Sequence, residues 1–121
     1  MPLYGSQVFA LSPEIPHKLF DAETPAALPQ ASAAVAIPAG CSKLEFQTRF
    51  AVEPGTFDLD VEFSAVDEAA QYVVKDTMSS LAADIQEYIN RSSKFCRVNL
   101  RTFGGGGSGL TVYVTARRDS L

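Results

Sequence analysis

The residues with most chemical reach in this chain are few and scattered. His17 is the sole histidine and sits between Pro16 and Lys18. A hydrolase or transferase needs a base beside a nucleophile, and no serine or cysteine pattern around His17 supplies one. Cys41 and Cys96 have neither the close spacing of zinc ligands nor a histidine cluster, so both are expected to be buried free thiols. Asp58, Asp60 and Glu62 share one side of an alternating segment, with Asp67 and Glu68 just beyond. Such a row could hold calcium if a loop oxygen joined it; the plainer expectation is a strand face turned to water. Arg97 and Arg101 share one side of another such segment, and Arg49 lies on a third. If the arginine segment neighbours the acidic one, cross-strand charge pairs form; if not, the two faces could be complementary patches on different subunits.

Residues 104–109 read Gly-Gly-Gly-Gly-Ser-Gly, and glycine backbone can approach a phosphate closely. A phosphate loop, however, opens a helix and carries Lys-Ser or Lys-Thr, whereas this run opens an alternating segment. It is expected to be a mobile hairpin tip and a possible contact loop. Asn90-Arg91-Ser92 matches a glycosylation sequon, which has meaning only in a secreted protein. The residues therefore name no catalytic group, cofactor or metal ligand, and the expectation is a protein that is not an enzyme.

The elements around these residues divide into an arm and a body. Pro2, Pro13, Pro16, Pro25 and Pro29 crowd the start of the chain, where proline excludes regular helix and central strand. Tyr4, Val8, Phe9, Leu11, Ile15, Leu19 and Phe20 are interspersed among them, so residues 1–30 are read as an extended arm with apolar groups to bury. They are the candidate partner-binding residues, packing either on their own body or across a neighbouring subunit. From residue 31 to 121 the pattern is period two, as in half-buried antiparallel strands. Residues 44–50 and 57–63 flank Pro54-Gly55 and read as one β-hairpin; residues 95–103 and 110–116 flank the glycine run and read as a second. Residues 35–37 and 72–74 add short strands. Leu81, Ile85, Tyr88 and Ile89 fall at helical spacing, so residues 81–91 are read as a short helix, with an irregular strand as the alternative. The fold class is all-β, an antiparallel β-sandwich of jelly-roll type with at most one short helix.

With 121 residues, 46% hydrophobic and 20% charged, the chain has the composition of one folded domain. Its formal net charge of -4 argues against nucleic acid, which calls for clustered Lys and Arg. No run approaches the roughly 20 apolar residues of a membrane-spanning helix, and the N-terminus lacks the basic and apolar regions of a secretory signal.

The closing stretch, Phe95-Cys96-Arg97-Val98-Asn99 followed by the glycine run and Leu110-Thr111-Val112-Tyr113-Val114-Thr115-Ala116, resembles the final hairpin of small β-sandwich proteins in tailed-bacteriophage virions. Residues 37–46, IPAGCSKLEF, and the acidic strand resemble the first strands of jelly-roll domains related to carbohydrate-binding modules. The resemblance covers roughly residues 33–117. It implies a structural part of a virion made in the host cytoplasm, a capsid decoration or cement protein or a head–tail or fibre-base component. Its partners would be other copies of itself, in a homo-oligomer, and neighbouring virion proteins. The alternative is a carbohydrate-binding or receptor-binding module, with Tyr4, Tyr72, Tyr88 and Tyr113 as stacking surfaces, although the chain has no Trp.

Overall fold

Alternation of apolar and polar residues builds two sheets that pack face to face. The computed structural model describes residues 8–90 and 92–120. Along them run β1 (Phe9–Ala10), β2 (His17–Glu23), β3 (Gln30–Ala31), β4 (Val35–Ala36), β5 (Lys43–Arg49), β6 (Thr56–Ser64), β7 (Val73–Met78), β8 (Asp84–Ile89), β9 (Phe95–Gly104) and β10 (Leu110–Arg117), with a 3-10 turn at Ala69–Gln71. One sheet has the order β1-β4-β9-β6-β7, with β3 also on β9; the other has the order β2-β10-β5-β8. All pairs are antiparallel except the two-residue contact of β1 with β4. The fold is an all-β sandwich, as the alternation implies.

The core lies between the sheets. Leu44 and Phe46 of β5 and Leu110, Val112 and Val114 of β10 point inward from one sheet. Leu59 and Val61 of β6 and Cys96, Val98 and Leu100 of β9 point inward from the other, and all ten are fully buried. Each such aliphatic side chain contributes about 1.5–3 kcal/mol on leaving water.

Both expected hairpins are absent. β5 and β6 belong to different sheets, and so do β9 and β10, so each connection arches across the core. Alternation specifies which side of a strand is buried but not whether the next strand lies beside it or opposite it. Here the aromatic rows face each other: Phe46 meets Phe63 edge to face at 6.4 Å, and Phe50, Phe57 and Phe103 cluster beneath the arches with centroids 4.9–6.2 Å apart. The glycine run is correspondingly not a mobile tip. Ala51 and Val52 donate backbone hydrogen bonds to Ser108, Ser108 donates back to Val52, and Gly55 donates to Gly104. The two arches are thereby zipped side by side.

Residues 81–90 form no helix. Asp84–Ile89 form β8, paired residue for residue with β5 from Thr48↔Asp84 to Lys43↔Ile89. The spacing of Ile85 and Ile89 mimics one helical turn because both stand on the outer face of the strand, while Tyr88 turns inward. The unpaired backbone of β5 is a stronger organiser than a weak helical pattern rich in Ile and Tyr, residues that suit strands.

At the arch contact, Gly105 has φ +69°, and a Cβ there would lie 2.5 Å from the backbone nitrogen of Gly55. Gly106 also has positive φ, +81°, but opens onto free space. Gly106→Ala is expected to cost only the strain of its backbone, about 1–3 kcal/mol. Gly105→Ala should cost measurably more, because the arches must also part; urea unfolding of both variants checks the difference.

Candidate interaction surface

Residues 8–31 lie against both sheets of their own chain. β1 pairs with β4, β2 with β10, and β3 with β9. Leu11 and Phe20 are buried in the core, and Leu19 packs partly against it. Glu14 latches this segment to the C-terminal strand: its carboxylate accepts the Arg118 N–H at 2.7 Å and the Arg117 guanidinium at 2.9 Å. Val8 is half-buried, Phe9 is exposed and stacks on His17 at 4.2 Å, and Ile15 is 60% exposed. Tyr4 lies outside the described residues. Of the candidate partner-binding residues, then, Leu11, Phe20 and most of Leu19 are occupied within the chain, whereas Phe9 and Ile15 face outward.

The acidic row is not a solvated face. Asp60 and Glu62 are each only 6% exposed, because β6 is an inner strand whose outer side is covered by its neighbours. Glu62 stands opposite Arg97 in register and accepts its Nε–H at 2.7 Å. Tyr72 lays its ring over that guanidinium, 4.2 Å from the centroid, and donates its hydroxyl to Asp67. Asp60 accepts from Thr77 at 2.7 Å and from Arg101 at 3.1 and 3.2 Å; Asp58 accepts from Ser79. The charge pairs are thus intramolecular. Among the described residues no three acidic, His or Cys groups gather as metal ligands.

Desolvation works to raise the Asp60 carboxyl, but hydrogen bonds from Arg101 and Thr77 and the Arg101 charge outweigh it, so it titrates below its ordinary 3.8. The two cysteines are free and buried. Burial pushes the Cys96 thiol up to about 12, and burial together with the charge of Asp119 raises Cys41, which keeps both as thiols and poor nucleophiles. Desolvation lowers the His17 pKa. Cys41, Ser42, Asn90, Lys94 and Asp119 line a cavity of about 530 Å³ at one end of the sandwich, where Asp119 accepts both the backbone N–H and the hydroxyl of Ser42.

What remains is the side of the sandwich where β7 and β8 are the outermost strands. Val73, Val74, Leu81, Ile85 and Ile89 are all exposed, Val73 at 68%. They make up five of the ten large apolar side chains that are exposed among the described residues, gathered within one short stretch of chain. Phe63, Val73, Val74, Ile89 and Asn90 line a groove of about 360 Å³ between the two sheet edges, bridged where Tyr88 donates its hydroxyl to Asp76 at 2.9 Å. Val73, Val74 and Ile89 meet at this groove, and exposed apolar surface of this kind marks interaction sites. Sequence reasoning overlooked it, although Val73-Val74 and Ile85/Ile89 are apolar at positions where an edge strand normally turns polar residues outward.

Compared with protein-family models, curated proteins and solved structures, the chain matches none. No helix among the described residues is long and apolar enough to cross a membrane. The surface must speak through its own chemistry.

Two measurements test these placements. Phe20→Ala is expected to cost about 3–5 kcal/mol of stability, as for a core aromatic, whereas Ile15→Ala should change stability by less than about 0.5 kcal/mol; denaturant unfolding separates them. Asp60 and Glu14 titrate below their ordinary values of 3.8 and 4.5, Glu14 chiefly through the Arg118 N–H and the Arg117 guanidinium. The unfolded chain therefore binds more protons in acid. The stability that these carboxylates confer is complete above the ordinary values and is lost as pH falls through the lowered ones. Asp60→Asn should flatten the decline of unfolding free energy below about pH 4 relative to the unmodified chain.

Proposed function

We propose that this chain is a non-enzymatic structural protein of a virion, of the decoration, cement or head–tail and fibre-base type, which works by binding other copies of itself and neighbouring particle proteins. The observation that carries the reading is the exposed row of branched aliphatic side chains on β7, β8 and their connection. An interface core needs apolar area, and half of the exposed large apolar side chains among the described residues lie on these two strands and their connection. On the outer face of the six-stranded sheet Asp60, Glu62, Arg97 and Arg101 are engaged with one another, which leaves that face less charge to offer a partner. Phe9 and Ile15 add a second outward apolar site on the segment that the sequence marks as an arm.

A sugar- or receptor-binding module is the second reading, favoured by one feature. Tyr113, Gln47, Arg49 and Thr115 line a shallow groove of about 280 Å³ on the outer face of the four-stranded sheet. Two other tyrosines are less available for stacking, since Tyr72 is covered by Arg97 and Tyr88 is buried.

The chain is expected to co-purify with tailed-phage particles through a density gradient from a lysate of its own host. Its absence from otherwise complete particles overturns the virion placement. Glycan binding that disappears in Tyr113→Ala would instead favour the second reading.

A further inference from the structure

We infer that the β7–β8 side is self-complementary, and that two copies dock there edge to edge around a two-fold axis parallel to the strands. The inference rests on the assembly reading above and names its first partner as a second copy of this chain.

The four outer strands of the sandwich are not equally protected. β2 carries Lys18, Asp21 and Glu23, two register irregularities against β10, and a positive φ at Ala22. β1 is only two residues long. Such charges, irregularities and short strands keep sheet edges from pairing with other chains. β7 carries Lys75 and one register irregularity against β6. β8 pairs with β5 without interruption, has no proline and no lysine, and is guarded only by Asp84 and Glu87.

Charge decides what it receives. β8 contains Asp84 and Glu87 and no basic residue, so a second β8 alongside it would set acid against acid. On β7 the corresponding group is Lys75, the residue left over by the register shift against β6. Among the described residues neither Lys75 nor Glu87 makes an ion pair or a side-chain hydrogen bond. The Tyr88–Asp76 hydrogen bond puts β7 and β8 at one level along the strand direction. β7 and β8 run in opposite directions, because residues 79–83 turn the chain back between them.

A two-fold axis parallel to the strands keeps each strand's height and direction and exchanges the sheets. It brings β7 of one copy beside β8 of the other, antiparallel, and does the same on the reverse side. Lys75 and Glu87 of opposite copies then become diagonal neighbours, about 7 Å apart along the strands and within reach of long side chains. On each outer face Val74 of one copy then lies beside Ile89 of the other, and the contact closes on itself rather than propagating.

Light scattering on the full chain at about 100 μM is expected to give the mass of two chains. Lys75→Glu and Glu87→Lys should each weaken the dimer about tenfold or more, since like charges then meet, and the combined K75E/E87K exchange should restore it. Both positions are exposed, and thermal unfolding confirms that each variant is folded. Ile89→Lys, which changes only the apolar row, should also yield monomer. A monomer at that concentration overturns the inference and leaves the edge to a different protein, as does a dimer indifferent to all four variants. A monomer that still co-purifies with particles sinks the dimer and keeps the virion reading, whereas a charge-dependent dimer absent from particles does the reverse.

Discussion

The sandwich depends on two arches lying flat against each other. Residues 50–55 carry the chain from β5 in one sheet to β6 in the other, and residues 105–109 make the same crossing from β9 to β10. Because each arch joins facing strands, the inward rows of all four strands are brought together in one step, with Phe50, Phe57 and Phe103 filling the space beneath. The close approach of Gly105 to Gly55 is what lets the arches lie side by side. A side chain at that contact would separate the strands whose packing forms the core. Glycine here serves close packing rather than mobility, in keeping with its role wherever two backbones must meet.

Much of this was legible in the residues, and the missing part has a common cause. The buried rows of β5, β6, β9 and β10 follow directly from alternation, as does the all-β class. Alternation has no information about which strand lies alongside which, and so the arches read as hairpins. The same gap hid the burial of Asp60 and Glu62, which depends on Arg97, Arg101 and the Tyr72 segment arriving from distant parts of the chain. At β8 the signal itself misled. Ile85 and Ile89 face outward, and their spacing imitates a helix because they do not follow the inward rule that a solitary sheet edge obeys.

That departure and the acidic row are two sides of one arrangement. The outer face of the six-stranded sheet has spent its carboxylates and guanidiniums on each other, leaving little charge to meet a partner. The β7–β8 side has the opposite character, with aliphatic groups in water and two unmatched charges, Lys75 and Glu87.

The order in which the strands are made has its own consequence. β9 sits inside the six-stranded sheet and β10 inside the four-stranded one, yet both come from the last stretch of the chain. Residues 1–117 must therefore all be made before both sheets can close. Until then β2 has no β10 to pair with, β4 and β6 are held apart for want of β9, and the apolar rows of both sheets stay wet. Nearly every stabilising contact is long in sequence, which slows folding and exposes sticky intermediates. Both sheets therefore close only once β10 is within reach, and until then unfinished copies can join each other by the wrong strands.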